Sequence, residues 1–198
     1  MKKLTLKHTA IKQTKGFIAN LLDRCSSQEL FINTVKENTV EMAKEFYLHI
    51  GEIFSLMGFD NVSVTRDGDV NCRFDATIID DLNSIPIEIK SPKEDKEINI
   101  KAITQACENK IILLSRTFYP TQTEITSLAV AFSYPPSRSG VYELIEDFKS
   151  VYDINIGIID IEDLSRLVYD INRCGYKLNE EYFLYFNGKL NYEKAILK

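Results

Sequence analysis

The chain is short of the side chains that bind soft metals. Its 198 residues include four cysteines and two histidines. Cys25, Cys72, Cys107 and Cys174 are far apart with no Cys-x-x-Cys pair, and His8 and His49 each stand alone. Zinc needs clustered ligands, so a zinc site is not expected. The cysteines read as reduced, mostly buried thiols, and His49 reads as the polar edge of a helix. No apolar run reaches the roughly 18 residues of a membrane-spanning helix. The start, Met1 to Thr9, lacks the apolar core of a secretory signal. These absences predict a cytoplasmic protein with no membrane partner. A glycine-rich phosphate loop, a Gly-x-Ser-x-Gly elbow and internal repeats are also absent. Positive charge is in deficit, with 24 Lys and Arg against 29 Asp and Glu for a net charge of −5. Affinity for nucleic acid rests on basic side chains neutralising phosphates. The balance therefore argues against a stand-alone nucleic-acid binder, although a local basic stripe can still hold a backbone.

What is present begins with an ordinary hydrophobic fraction of 44%, enough for one domain of residues 1–198 with a real core. The segment Ser84-Ile-Pro-Ile-Glu-Ile-Lys-Ser-Pro92 alternates as a strand does. Ile85, Ile87 and Ile89 then face a core, with Glu88 and Lys90 on the other side. Upstream, Cys72 to Asp80 reads as a second strand carrying Asp75, and Asp80-Asp-Leu-Asn-Ser84 has turn chemistry. Such a hairpin brings Asp75, Glu88 and Lys90 together. Two carboxylates suit a hard divalent cation, which prefers oxygen ligands, and an ammonium beside them can orient water or offset phosphate charge.

The flanks supply a core. Val40 to Met57 has a helical apolar face at Ala43, Phe46, Tyr47, Ile50, Ile53, Phe54 and Met57, stopped by Gly58. Val62 to Arg66 reads as a strand, and Asp67-Gly68 as a hairpin turn. After the motif, Ile98 to Glu108 reads as a helix and Lys110 to Ser115 as a buried strand. Val141 to Val151 reads as a helix, Ile154 to Ile159 as a strand and Ile161 to Asn172 as a helix. Thr117 to Gly140 is a long connection whose apolar centre, Ile125 to Phe132, fits either a helix or a strand. Residues 8–22 fit an amphipathic helix, and Ser26-Ser-Gln-Glu29 resembles a capping box that starts another. The aromatics of residues 176–198 point to core or interface, with base stacking as the lesser reading. Lys90, Lys93, Lys96, Lys101, Lys110 and Arg116 concentrate basic charge on the motif side. Lys93, Lys96 and Lys101 alternate with Glu94, Asp95 and Glu97, which fits a solvated mixed-charge loop as well as it fits DNA contact.

Asp75, thirteen residues before Glu88-Ile89-Lys90, resembles the signature of the PD-(D/E)xK nuclease superfamily, which includes most type II restriction endonucleases. Phe74-Asp75-Ala76 stands where Pro-Asp-Gly or Pro-Asp-Ala is common. The departure falls on the Pro, which holds no metal. The resemblance covers about residues 40–170 and includes the element order: helix, three-strand meander, crossover helix and further strand. It implies an α/β fold with a restriction-endonuclease-like core, a mixed central sheet flanked by helices; outside it, the residues themselves point to a helical N-terminal and an aromatic C-terminal extension.

The resemblance also implies an activity: DNA endonuclease with Mg²⁺ as cofactor, replaceable by Mn²⁺, leaving 5′-phosphate and 3′-hydroxyl ends. Asp75 and Glu88 would ligate the ion, the Ile89 carbonyl would add a ligand, and Lys90 would orient the attacking water. Glu45 is a further candidate because many members carry a helix Glu near the metal, although Glu41 and Glu52 share its stripe. Gln105 matches a Gln that some subfamilies keep near the site. The partner is double-stranded DNA. A larger DNA-recognition subunit fits the acidic balance, as in a heterodimeric type IIS enzyme where each subunit cuts one strand. The alternatives are a homodimeric type II enzyme reading its own palindrome, a Holliday-junction resolvase, a non-catalytic interaction subunit on the same fold, and an unrelated α/β domain in which the three charges form a surface ion-pair cluster.

Overall fold

Strands that are apolar on both faces build the centre of the molecule. The computed structural model describes residues 16–41, 45–65, 74–116 and 120–198. In chain order these form α1 (Phe17–Arg24), α2 (Gln28–Glu41), α3 (Phe46–Leu56), β1 (Val62–Val64), β2 (Ala76–Ile78), β3 (Ile85–Ile89), α4 (Ile100–Leu114), β4 (Ser127–Ala131), α5 (Gly140–Tyr152), β5 (Ile156–Asp160) and α6 (Ile161–Arg173). A C-terminal set follows: β6 (Lys177–Leu178), α7 (Glu180–Tyr185), β7 (Gly188–Lys189), α8 (Tyr192–Ala195) and β8 (Ile196–Leu197). The six-stranded sheet runs β1-β2-β3-β4-β5-β7. Its first two pairings are antiparallel and the next three parallel. A small antiparallel pair, β6 and β8, lies apart from it.

Period-two alternation sorts the strand residues between two layers. Ile85, Ile87, Ile89, Leu128, Val130 and Ile159 pack with α1, α2, α3, α6 and α7 in the larger core. Ala129, Ala131, Ile156 and Ile158 face the other way, onto Ala102, Ile103 and Ala106 of α4 and Val141 and Ile145 of α5. Helix starts are fixed by side-chain caps that satisfy orphan N–H groups. Asn99 accepts from Ala102 N at 2.9 Å at the start of α4, and Asp160 accepts from Asp163 N at 2.9 Å at the start of α6. Gly58 ends α3 with φ +108°, a conformation that suits glycine.

The structure corrects several expectations. Lys110 to Ser115 is not a strand: α4 runs unbroken to Leu114. Asn109, the one turn-favouring residue between Glu108 and Lys110, donates to Glu88 from inside α4 and does not break the helix, and a short apolar run does not by itself distinguish strand from helix. The strand after α4 lies instead in the long connection, as β4, buried along its whole length. The element order survives because one strand moved from one side of the connection to its middle. The helix expected from Val40 is divided, with Val40 and Glu41 ending α2 and α3 starting at Phe46. Ser27, not Ser26, sits at the start of α2, accepting from Leu30 N at 3.3 Å. His49 is buried and stacked on Phe17 at 4.7 Å, because α1 packs over it. Cys25 and Cys107 are buried free thiols and Cys174 is exposed. Cys72, the Asp67-Gly68 turn and residues 8–15 of the first expected helix lie outside the described residues. Of the C-terminal aromatics, Phe183 and Phe186 join the core, while Tyr185 is exposed. Among the described residues no helix is long and apolar enough to cross a membrane.

Candidate active site

The register of β2 on β3 assembles the charges. Ala76 pairs with Ile87 in an antiparallel ladder, so one further step sets Asp75 across from Glu88. Residues opposed in this way project from the same face. Ala76 and Ile87 go to the larger core, which leaves Asp75 and Glu88 on the α4 side. Asp75 is anchored there by its Oδ2, which accepts the backbone N–H of Ile89 at 2.8 Å.

Glu88 and Lys90 are both buried, at 4% and 7% exposure. Charges so placed need partners, and α4 provides them. Lys90 Nζ donates to Glu88 Oε1 at 2.7 Å and to Gln105 Oε1 at 2.8 Å. Asn109 Nδ2 donates to Glu88 Oε2 at 3.0 Å. Gln105 and Asn109 are four residues apart and therefore share one face of the helix. At the end of β3 the Tyr47 hydroxyl, with one proton to give, donates to Glu94 Oε2 at 3.0 Å and lies 3.3 Å from the Ile89 carbonyl, its alternative acceptor. Ser91 also donates to that Glu94 oxygen, through its N–H at 3.1 Å and its hydroxyl at 3.2 Å. A latch thus joins α3 to the loop after β3.

The field at the site is negative. Burial, and then the Glu88 carboxylate beside it, push the Asp75 carboxyl up to about 7; the Ile89 N–H and Lys90 oppose this without cancelling it. Burial together with Asp75 and Glu94 pushes the Tyr47 phenol above its ordinary range, so it remains a donor. A divalent cation would relieve this excess. The donors suit a hard one: two carboxylates and the Ile89 carbonyl are all oxygen. Among the described residues no group of three or more His, Cys, Asp or Glu side chains is placed to hold a metal ion. Mg²⁺ fits that count, since it commonly takes one or two carboxylates and completes its shell with water and substrate phosphate.

The structure therefore brings together Asp75, Glu88, Lys90, the Ile89 carbonyl and Gln105. Glu45 is exposed at the start of α3, with its Oε2 3.8 Å from His49 Nε2. Glu52 holds the N-terminus of α1, accepting from Ile18 N at 3.1 Å and Ala19 N at 2.9 Å. Glu41 is exposed at the end of α2. Of the basic residues on the motif side, Lys110 is fully buried and donates to Thr121 Oγ1 at 2.7 Å, which removes it from any surface stripe. Arg116 lies over the Phe74 ring, 5.3 Å from its centroid, while Lys93, Lys96 and Lys101 are exposed. The sequence did not single out Asn109, Tyr47 or Glu94. The spacing from Gln105 to Asn109 would have revealed Asn109 once α4 was known to be continuous.

The sequence matches no protein-family model and no curated protein. Among solved structures, the chain is similar to a restriction endonuclease. One match is the restriction endonuclease FokI, with a TM-score of 0.64 and 13% identity over 91% of this chain and 35% of that one. Another is FokI bound to DNA, with a TM-score of 0.52 and 14% identity over 90% and 34%. The chain spans about a third of the length of these structures. The likeness shows the fold, a restriction-endonuclease-like α/β core with a mixed sheet flanked by helices.

Proposed function

We propose that the chain is a Mg²⁺-dependent DNA endonuclease that hydrolyses phosphodiester bonds to 5′-phosphate and 3′-hydroxyl ends, and that it cuts one strand when a larger recognition subunit delivers it. The observation that carries this reading is the convergence of Asp75 and Glu88, with Lys90 between Glu88 and Gln105, on one face of the β2–β3 ladder. The fold shared with a restriction endonuclease, one of whose structures is described as bound to DNA, supports the same substrate.

In this reading Asp75, Glu88 and the Ile89 carbonyl hold the ion. Bound Mg²⁺ supplies a Lewis acid that acidifies water and offsets charge on the scissile phosphate. Lys90 has three donors; Glu88 and Gln105 engage two, and a third is left for a water or phosphate oxygen. Asp75 must be ionised to serve as a ligand, so protons and the cation would compete for it, and the pH below which cleavage falls away should move down as Mg²⁺ concentration rises. Asn109 and Tyr47 touch no reacting atom; they fix Glu88 and the Ile89 carbonyl.

The net charge of −5, and the burial of two of the motif-side lysines, Lys90 and Lys110, support a partner as the main source of DNA affinity. The test is to incubate the pure chain with Mg²⁺ and supercoiled plasmid beside Asp75→Ala, Glu88→Ala and Lys90→Ala. Weak, non-specific nicking by wild type that all three substitutions abolish is the expected result. Discrete double-strand fragments would replace the subunit with a homodimer that reads its own site. Nicking that survives Glu88→Ala would end the endonuclease assignment at this site.

A further inference from the structure

Glu88 has two carboxylate oxygens, and each already has a donor of a different kind. A neutral amide, Asn109 Nδ2, serves Oε2 at 3.0 Å. A cation, Lys90 Nζ, serves Oε1 at 2.7 Å. The amide fixes the plane of the carboxylate without adding charge, whereas the ammonium sets a positive charge on the other oxygen. All of this is buried between β3 and α4, where charges interact more strongly than in water. A divalent ion bound by Asp75 and Glu88 would meet that ammonium at close range. Lys90 also has a second, neutral acceptor: Gln105 Oε1 at 2.8 Å.

We infer that Lys90 and the divalent cation compete for Oε1 of Glu88, and that Gln105 is the positioning residue that keeps Lys90 in the site when the cation displaces it. The inference rests on the Mg²⁺ site proposed above and adds an order of events to it. While Lys90 serves Glu88, one of its donors is spent on neutralising a carboxylate. When the ion takes Oε1, that donor is freed for a water or phosphate oxygen while Gln105 still holds the side chain. Lys90 is thereby armed only where the metal is already in place, and cleavage is tied to loading.

The competition has a signature opposite to that of an ordinary site residue. Lys90→Met should abolish cleavage and yet tighten metal binding. Mn²⁺ binding is measured by loss of the free-ion electron paramagnetic resonance signal, for wild type and variants in the same buffer, since metal affinity depends on pH. Lys90→Met should bind Mn²⁺ about fivefold more tightly than wild type, the lower end of typical coupling between sites. Lys90→Gln, which keeps a donor to Glu88 but not the charge, should shift in the same direction and guards against misfolding of the Met variant. Gln105→Leu leaves Lys90 with Glu88 alone and should weaken Mn²⁺ binding about threefold or more, an effect that vanishes in a Lys90→Met background. Equal or weaker binding by both Lys90 variants would overturn the inference, as would a Gln105→Leu defect that persists without Lys90. A wild-type chain that binds Mn²⁺ and cuts DNA, with no effect of Lys90 on binding, sinks the competition alone. A wild-type chain that binds no Mn²⁺ overturns the metal site and the competition together.

Discussion

Glu88 and Ala129 are neighbours in the sheet, paired in register on β3 and β4, and both face α4. Around Ala129 the contact is made of apolar side chains: Ala102, Ile103 and Ala106 from α4 and Ile156 and Ile158 from β5. Around Glu88 it is made of Lys90, Gln105 and Asn109. One helix thus packs on one sheet by two different kinds of chemistry a few ångströms apart. Apolar burial stabilises without demanding geometry, at about 25 cal/mol per Å². A buried ion pair is a poor source of stability, because desolvation offsets most of its Coulomb attraction. The ionic half of the interface is therefore the half whose existence needs a reason other than folding, and the proposed metal site would supply one.

The comparison breaks most sharply at activity. Asp75→Asn and Glu88→Gln keep the shape of the site and remove its charge. Each should lower cleavage by more than about 100-fold, beyond the effect typical of residues behind the ligands, while neither should unfold the protein. Asp75→Asn should melt no lower than wild type at about pH 8. The folded carboxyl is raised to about 7, so between its ordinary value and that point the native state holds a proton that the unfolded chain has lost. Stability falls as pH rises through that window, and the Asn variant escapes the loss. A clear drop in melting temperature with activity retained would reverse the roles assigned to the two halves.

The opposite face of the same strand should respond in the opposite way. Ile87 is fully buried in the larger core. Ile87→Ala should cost about 2–5 kcal/mol in urea unfolding, through lost apolar transfer and the cavity left behind. Metal binding by the fraction that stays folded should be unchanged. A loss of under about 1 kcal/mol would mean the core relaxes around β3, and the rigid placement of Glu88 would need another source.

What could be read from the sequence follows the same division. Asp75, Glu88 and Lys90 were legible because a strand's period is local: alternating Ile85, Ile87 and Ile89 fixes where Glu88 points. Of their partners, Gln105 was named only through the resemblance, and Asn109 and Tyr47 were not named for the site at all. Asn109 meets Glu88 from 21 residues away and Tyr47 meets Ile89 from 42 away, and no local period encodes either meeting. The order of elements was legible, but β4 was looked for in Lys110 to Ser115, where an apolar run continues a helix. The lysine in that run, read as part of a basic surface, is buried.

Lys110 offers the smallest of the expected effects and the most direct test of a buried charge outside the candidate site. It is fully buried, its partner is the neutral Thr121 hydroxyl at 2.7 Å, and burial pushes its ammonium down to about 7, only partly opposed by Glu124. The folded pKa therefore lies below that of the unfolded chain. Between about 7 and the ordinary lysine value, the unfolded state binds a proton that the native state does not, so stability rises with pH across that window, by at most roughly 1.4 kcal/mol per unit. Tyr47 and Tyr134, whose phenols burial raises in the fold, act in the opposite direction only near the upper end of that window, where the unfolded tyrosines ionise. Lys110→Met removes the titrating group, fills the space with an apolar chain and leaves the Thr121 hydroxyl to other partners. The variant should be more stable than wild type by about 1–2 kcal/mol near pH 7, and the gap should narrow as pH approaches about 9 and wild-type Lys110 becomes neutral. Urea unfolding of both proteins at the two pH values measures it. Parallel pH slopes would show that Lys110 keeps its proton in the fold, and that α4 buries a cation of its own in addition to Lys90 at the end of β3.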